Sequence, residues 1–204
     1  MFNDKYGLTE AVLKGNKTMT RRICKEFSTG RIIYANEVES VGVFSDDNVV
    51  EFVLKDGGVM VSVPHYKVGD VVAVAQSYKS VFEESLNYAL PRYHWLDDHI
   101  DEKGFENKMF VKASEMPHQI QITDVKTERL QDISDEDCLK EGVVYDSRHW
   151  VNGYKIENLW NKIDRQSHFR SAQVAFANLI NRISGKGTWV SNPYVFAYSF
   201  KLIK

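Results

Sequence analysis

The chain has 204 residues, of which 43% are hydrophobic and 26% charged, a composition typical of one soluble globular domain. The longest apolar run spans only 71–75, and the opening residues MFNDKYGLTE form neither a basic nor an apolar leader, so we expect no membrane span and no signal peptide. Two cysteines, Cys24 and Cys138, are too few for a disulfide framework and predict a reducing, cytoplasmic location. These observations exclude membrane proteins, disulfide-rich secreted proteins, collagens and disordered chains.

Charge is unevenly distributed along the sequence, although the formal net charge is only -2. Basic residues concentrate in 14–31 and 160–204, whereas acidic residues concentrate in 83–107 and 124–146. Two basic segments on either side of an acidic middle predict one positive face that attracts phosphates. The alternative is a solvated surface that binds no ligand.

The predicted elements begin with a short helix over 9–14, capped by Thr9, and a loop over the segment NKTMTRRI. From 31 to 78, short β-branched runs separated by turn signals predict several strands, a pattern typical of a small barrel or sandwich. The segment 80–107 mixes aromatic and acidic residues without a clear period. We expect it to be an insertion packed on the outside of the barrel.

The second half of the sequence predicts both strands and helices. We expect strands over 108–113, 119–130 and 194–203, because each is rich in β-branched or aromatic residues. Ser134 is predicted to cap a short acidic helix, and the strongest helical periodicity in the chain begins at Ser167. The fold class that follows is α+β, a small barrel with helices that plug or cover it.

Three common kinds of site lack support in the sequence. His94 and His99 lie on different faces of a helix at their spacing, and no further residues complete a metal-ligand set. Gly57-Gly58 is typical of a hairpin turn rather than of a phosphate loop. No nucleophile-elbow pattern supports a Ser-His-Asp triad. We therefore expect neither a metal nor a cofactor.

The segment 15–22, GNKTMTRR, places a lysine, two threonines and two arginines directly after a helix-ending glycine. In an extended loop, alternate side chains of this segment bring several donors into one small volume. The neighbouring arginines lower the pKa of Lys17, which makes it a candidate base toward a threonine hydroxyl. The alternative is a loop that binds phosphate or forms salt bridges with the carboxylates of 134–141.

This segment resembles the G-x-K-x-x-T-x-R signature of the ASCH superfamily, whose members are PUA-like β-barrels. Three further blocks agree in type and order. Residues 68–78, VGDVVAVAQSY, are similar to the family's glycine-aspartate turn and the strand after it. Residues 116–142 are similar to its strand-then-acidic-helix block, and 192–200, NPYVFAYSF, to the closing strand of ASCH proteins often encoded in phages and prophages.

The resemblance implies an RNA-associated module with a cleft beside the signature segment. Some small bacterial members hydrolyse the acetyl amide of acetylated cytidine, and others have been described as ribonucleases. In the amidohydrolases the catalytic residues match Lys17, Thr20 and Glu141 of this chain. Thr20 then acts as the nucleophile or positions a water, Lys17 is the base, and Glu141 orients Lys17 and shuttles the proton. The alternative for Glu141 is a salt bridge to Lys17 or Arg22 that merely closes the barrel.

A wider set of residues is expected to bind RNA or a nucleoside around this cleft: Thr18, Arg21, Arg22, Gln76, Tyr78, Trp160 and Tyr194. Trp160, Trp189 and Tyr194 are candidates for stacking on a base, and the alternative for each is a place in the core. The chain departs from the family pattern in two ways. It is much larger than the small amidohydrolases, and Gln76 stands where many relatives have an acid.

These observations lead to one set of expectations. The chain is predicted to form a single ASCH-like, PUA-like domain over 1–204, with insertions at about 80–107 and 143–190. Its predicted function is to bind RNA or a modified nucleoside in a basic cleft beside 15–22. The alternatives are an amidohydrolase that deacylates an N-acylated cytidine-type nucleoside and, third, a ribonuclease. The ribonuclease is less favoured because no histidine pair is placed to share the acid-base work.

Overall fold

A computed structural model describes residues 2–44, 49–86, 98–147, 153–156 and 168–203. Within these ranges the strands are β1 (Met19–Ile23), β2 (Val38–Phe44), β3 (Val49–Leu54), β4 (Val59–Ser62), β5 (Val71–Ala73), β6 (Gln119–Arg129), β7 (Val143–Asp146), β8 (Gly153–Ile156) and β9 (Tyr194–Leu202). The helices are α1 (Leu8–Leu13), α2 (Tyr78–Leu86), α3 (Asp135–Lys140), α4 (Ala172–Ser184) and α5 (Thr188–Ser191).

The architecture is mixed α+β, with a curled antiparallel sheet that forms half of a barrel. The main sheet has the strand order β1-β9-β6-β5, and β2-β3-β4 and β7-β8 form two smaller sheets. The longest pairing joins β6 to β9, from Ile120 opposite Leu202 to Arg129 opposite Tyr194. Its register shifts between Ile122 and Asp124, an irregularity of the kind that bends a strand pair and curls a sheet.

Strand β9 is buried on both faces, which explains why its sequence is apolar almost without alternation. Phe196 and Tyr198 pack in the main core with Phe52 of β3. Val195 packs in a second core with Phe176 of α4. The strand therefore lies between the β2-β3-β4 sheet on one side and α4 on the other.

Helix α4 begins after Ser171, whose side chain accepts a hydrogen bond from the backbone N–H of Val174. The predicted start at Ser167 lies outside the described residues. The periodicity of the sequence predicts one apolar face made of Phe169, Ala172, Phe176, Leu179, Ile180 and Ile183. Phe169 instead pairs with Tyr154 in an isolated β-bridge. Ala172, Phe176, Leu179 and Ile180 are buried as predicted, whereas Ile183 is 38% exposed.

Two local predictions near the N-terminus are wrong. Gly7, and not Thr9, precedes the first turn of α1, and the buried Thr9 hydroxyl donates to the carboxylate of Asp4 instead. The segment NKTMTRRI was predicted to be a loop, but Met19–Ile23 of this segment form β1. The reason is non-local, since β1 pairs with β9 from the other end of the chain.

Two predicted strands are also absent from the described structure. Residues 108–113 form two 3-10 turns, Lys108–Phe110 and Ala113–Glu115, because the Asn107 side chain accepts a hydrogen bond from the Met109 N–H and caps the first turn. Residues 31–35 contribute only isolated bridges, one of them opposite Pro193, which has no N–H to extend a ladder.

Part of the segment predicted as an insertion, 80–107, is helical, because it contains most of α2. Among the helices in the described ranges, none is both long and apolar enough to cross a membrane. Cys24 and Cys138 are buried and unpaired, and burial raises the pKa of both thiols, that of Cys138 to about 12.

Candidate functional site

A cavity of about 290 Å³ opens beside β1 and is called the Lys17 cavity here. Its wall is largely apolar on the sides formed by the N-terminal residues and by α4. The polar residues that line it are Asn3, Lys17, Thr20, Arg21, Arg22, Lys25, Glu141 and Ser184. The apolar ones include Phe2, Leu8, Phe176, Leu179, Ile180 and Ile183.

A buried ion pair forms the polar end of the cavity. The Lys17 Nζ donates to Oε2 of Glu141 at 2.6 Å and to the backbone carbonyl of the same residue at 2.8 Å. Lys17 is 2% exposed and Glu141 is 4% exposed. Gly142, the residue after Glu141, has a φ of 99°, a left-handed backbone conformation that favours glycine. Two atoms of one residue thus hold the ammonium.

The backbone around Lys17 is fixed from three directions. The Lys17 N–H donates to the carbonyl of Ala11 at the end of α1, and the Thr18 N–H donates to the carbonyl of Lys140 at the end of α3. The Thr18 carbonyl accepts from the N–H of Phe200 in β9. These bonds place the lysine at the junction of α1, α3 and β9. The backbone of Thr18 links α3 to β9 through its N–H and its carbonyl.

Arg21 extends the ion pair into a network. Its side chain is 1% exposed and contacts three carboxylates, Glu128 at 2.6 Å, Asp137 at 3.1 Å and Glu141 at 3.1 Å. Lys126 bridges Glu128 at 3.0 Å and Asp137 at 2.9 Å from the outer side. Glu141 therefore accepts from Lys17 through one carboxylate oxygen and from Arg21 through the other.

The pKa values in this network move in different directions. Burial lowers the pKa of Lys17, Glu141 opposes that shift, and the like charges of Arg22 and Arg21 add smaller contributions in the same direction as burial. For Arg21, burial works against the charge, but Glu141 and Glu128 outweigh it and raise the pKa. The pKa of Lys126 is raised in the same way, by its carboxylate partners. Of these three cations, Lys17 is the one whose pKa is lowered.

Asp137 stays ionised over a wide pH range. Burial alone favours its protonated form, but hydrogen bonds from Lys126 and Lys140 and the charge of Arg21 lower its pKa to about 2. Its N–H donates to Ser134, the N-cap of α3, as predicted from the sequence. Asp137 in the first turn of α3 thus contributes its N–H to the helix cap and its carboxylate to the ion-pair network.

The structure brings together five of the predicted site residues at the Lys17 cavity: Lys17, Thr20, Arg21, Arg22 and Glu141. Thr20 is half-buried and lies opposite Tyr198 in the β1-β9 ladder, while Arg22 is exposed. The predicted alternative, salt bridges from this segment to the carboxylates of 134–141, is also present. Lys17 and Arg21 of this segment pair with those carboxylates. The predicted site and the predicted salt bridges therefore belong to the same cluster of side chains.

The remaining predicted residues lie elsewhere. Gln76 lines a second cavity, of about 490 Å³ between α1 and α2, which is called the Gln76 cavity here, and its amide donates to Glu84 at 3.0 Å. Tyr78 is fully buried, stacks on His99 with ring centroids 4.2 Å apart, and accepts from the backbone N–H of Lys112. Neither residue lines the Lys17 cavity.

The aromatic candidates for base stacking are used in packing where they are described. Tyr194 contacts Phe52 edge-on, with centroids 5.0 Å apart, and Trp189 contacts Phe176 in the same manner at 6.2 Å. Trp160 lies outside the described residues. Phe2 and Phe176, which sequence reasoning did not select, are the aromatic residues on the wall of the Lys17 cavity.

Sequence reasoning also missed Glu128 and Lys126. They are two residues apart in β6, so they project from the same face of the strand, where each contacts Asp137 or its partner Arg21. The sequence signal that could have identified them is that Lys126 and Glu128 are alternate residues of a strand that begins with an apolar-alternating run. Within the described ranges, no group of three or more histidine, cysteine or carboxylate side chains is placed to hold a metal ion. His94 lies outside those ranges, and His99 contacts Glu102 and Glu115.

Comparisons of this chain with protein families, with curated protein sequences and with solved structures gave no match.

Proposed function

We propose that this chain is an ASCH-like protein with a PUA-like barrel, and that its Lys17 cavity binds a modified nucleoside and hydrolyses an N-acyl amide on it. The observation that carries the proposal is the buried Lys17–Glu141 pair on the wall of a small cavity that Thr20 also lines. These are the residues that the resemblance to the family's amidohydrolases implies. The substrate class follows from that resemblance, with cytidine as the nucleoside.

The size and lining of the cavity support a small ligand. Its volume, about 290 Å³, is near the lower end of the range for small-molecule sites, which begins at about 300 Å³. Phe176, Leu179 and Ile180 offer an apolar wall for a planar ring, and the charged pair lies at the polar end. A base with an acyl amide has this distribution of apolar and polar atoms.

The proposed reaction transfers an acyl group to water in two steps. The Thr20 oxygen attacks the acyl carbon while the Lys17 amine, in its neutral form, takes the hydroxyl proton. Lys17 then donates that proton to the amide nitrogen as the C–N bond breaks, which leaves the acyl group on the Thr20 oxygen. Water cleaves this ester, again through Lys17, and releases the carboxylic acid. The lowered pKa of Lys17 supports its part as the base.

Glu141 positions the lysine in this scheme. It holds Nζ through its carboxylate and its carbonyl, and Arg21 fixes the other carboxylate oxygen. The lysine can therefore exchange a proton without changing place. Arg22, on the cavity wall, is available to stabilise the oxyanion that forms on the acyl oxygen.

The second candidate is binding of a modified nucleoside within RNA, without turnover. Arg22 and Lys25 favour it, because both are exposed cations on the cavity lining and can contact phosphates. Such binding weakens steeply with salt, whereas turnover of a free nucleoside does not. For the ribonuclease, by contrast, no histidine lines the described wall of the Lys17 cavity.

Hydrolysis of acetylated cytidine, followed by ultraviolet absorbance, tests the proposal. We expect turnover by the wild type and loss of at least 100-fold in kcat in Thr20→Val, which removes the nucleophile but keeps the shape of the side chain. Lys17→Ala should also be inactive, and Lys14→Ala, which removes an exposed lysine of the same region, should keep full activity.

Two results would contradict this proposal. Absence of turnover by the folded wild type at high enzyme concentration excludes this substrate, and salt-sensitive binding of acetylated RNA then becomes the leading function. Full activity in Thr20→Val excludes Thr20 as the nucleophile. Circular dichroism of each variant separates loss of the fold from loss of chemistry.

A further inference from the structure

A third cavity, of about 410 Å³, adjoins the Lys17 cavity and is called the Met109 cavity here. Phe2, Asn3 and Ile183 line both cavities. The Met109 cavity is also lined by residues that follow α2 in the chain, among them Lys108 and Met109. The three shared residues therefore form the partition between the two cavities, and Phe2 has the largest side chain of the three.

Phe2 lies close to the residues that act on the substrate in the proposed reaction. Its ring centroid is 5.9 Å from Nζ of Lys17 and 5.6 Å from the ring centroid of Phe200 in β9. The acyl carbon that Thr20 attacks must lie within contact of the Thr20 oxygen while Lys17 takes the proton. The acyl group bonded to that carbon is then beside the Phe2 ring. A ring at this position limits the length and the bulk of the acyl group.

Lys108 holds Phe2 in place. Its Nζ donates to the backbone carbonyl of Phe2, to the carboxylate of Asp4 at 2.6 Å and to the hydroxyl of Thr9 at 3.0 Å. The Lys108 side chain is 12% exposed, so these contacts are largely shielded from water. The part of the chain that follows α2 thus fixes the N-terminal residues that border the Lys17 cavity.

We propose that Phe2 is a specificity-determining residue that restricts the Lys17 cavity to amides of short acyl groups, and that Lys108 is the positioning residue that keeps the ring of Phe2 in place. The Met109 cavity is the space that a longer acyl group requires, and Met109 and Ile183 provide it with apolar wall. Rejection of a group that does not fit is a steric effect, for which a difference of one methylene changes kcat/KM by about 10–200-fold. The inference rests on the proposed function, from which it takes the position of the amide.

Hydrolysis of acetylated and of benzoylated cytidine tests the inference. The benzoyl-to-acetyl ratio of kcat/KM should rise about tenfold or more in Phe2→Ala, and by a smaller factor in Phe2→Leu. Both amides use the same catalytic residues, so an effect of either substitution on Lys17 cancels in this ratio. The matched control is Phe110→Ala, which removes a ring that is 56% exposed and lines neither cavity, and it should leave the ratio unchanged.

Lys108→Met tests the positioning role, because Lys108 lines the Met109 cavity but not the Lys17 cavity. We expect this variant to hydrolyse acetylated cytidine and to show a raised benzoyl-to-acetyl ratio. Lys108→Arg, which keeps the charge and the donors, should restore the wild-type ratio. A wild-type ratio in folded Lys108→Met would overturn the positioning role.

Calorimetric binding of both amides to Thr20→Val, with and without Phe2→Ala, separates this inference from the proposed hydrolysis. Tighter relative binding of the benzoyl amide in the double variant supports size selection by Phe2 even if the wild type hydrolyses neither amide. Hydrolysis with an unchanged ratio in both Phe2 variants overturns the inference and leaves the hydrolase intact. An equal rise in Phe110→Ala overturns it as well, as does failure of folded Thr20→Val to bind either amide.

Discussion

The two cavities beside α1 differ in how far their charged side chains are exposed to solvent. At the Lys17 cavity the charged side chains contact one another inside the protein, and those of Lys17, Arg21 and Glu141 are at most 5% exposed. At the Gln76 cavity the one carboxylate of α1, that of Glu10, pairs with Lys14, and these two side chains are 60% and 55% exposed. One helix thus borders a buried network and an open acidic surface.

The difference in burial determines what each charge contributes to the molecule. Removing one member of a buried network leaves its partners charged in a region of low dielectric, which destabilises the protein strongly. Removing one member of an exposed pair leaves a hydrated charge, and the free energy of unfolding hardly changes. Substitution of Lys17, Arg21 or Glu141 is therefore expected to change the free energy of unfolding strongly, and substitution of Glu10 or Lys14 hardly at all.

The largest expected effect comes from Arg21→Met. The substitution keeps much of the side-chain volume but leaves Glu128, Asp137 and Glu141 without their shared cation, so we expect unfolding to become about 3–5 kcal/mol easier. Urea denaturation measures this change. Arg21→Lys should recover part of it, because a lysine restores the charge without the forked geometry. A loss below 1 kcal/mol in Arg21→Met would show that water reaches the network.

A smaller effect is expected from acid, through Asp137. Its pKa is about 2 in the folded protein, against 3.8 for an unperturbed aspartate, so the folded state binds this proton less readily. The corresponding stability is complete above about pH 4 and is lost as the pH falls through 2, a total of about 2 kcal/mol.

Urea denaturation between pH 2 and 5 measures the contribution of Asp137. Asp137→Asn should flatten the curve in this window. The exposed Glu26, whose pKa hydrogen bonds from Thr29 and Ser28 lower to about 2, titrates in the same range and remains in the variant. A slope that is unchanged in Asp137→Asn would assign the acid sensitivity to Glu26 and to other carboxylates.

The smallest effect is expected at the rim of the Gln76 cavity. Lys14→Met removes the exposed partner of Glu10, an i, i+4 pair on α1, and should change the free energy of unfolding by no more than about 0.5 kcal/mol. Measured alongside Arg21→Met in the same buffer, it sets the scale for the comparison. A Lys14→Met effect as large as that of Arg21→Met would mean that burial is not what separates the two cavities.

Much of the Lys17 cavity was accessible from the sequence. The composition of the segment 15–22 singled out Lys17, Thr20 and Arg22, and the resemblance to the ASCH superfamily, matched on the acidic helix, singled out Glu141. Both patterns are local, since each spans a few residues of one element. The apolar face of α4 and the cap at Ser134 were predicted for the same reason, because a helical period and a cap each depend on residues that are close together in sequence.

The rest depends on contacts between distant parts of the chain. No local pattern in the sequence shows that β1 pairs with β9. Without that pairing, the segment around Arg21 is predicted to be a loop. Glu128 approaches Arg21 across the sheet, 107 positions away in sequence, and only the register of β6 against β9 places it there. Gln76 and Tyr78 follow the same glycine-aspartate strand in sequence, yet they lie in other parts of the fold.

The position of β9 in the main sheet also has a consequence for the order of folding. In the strand order β1-β9-β6-β5, β1 is at the edge and β9 is its neighbour. During synthesis from the N-terminus, residues 19–23 leave the ribosome long before 194–202 do. The edge of the sheet that carries Arg21 therefore assembles late, through contacts of large sequence separation, which fold slowly. Until the final strand pairs with β1, the cations of residues 15–22 in a nascent chain lack the neighbours that bury Lys17 and Arg21 in the folded protein.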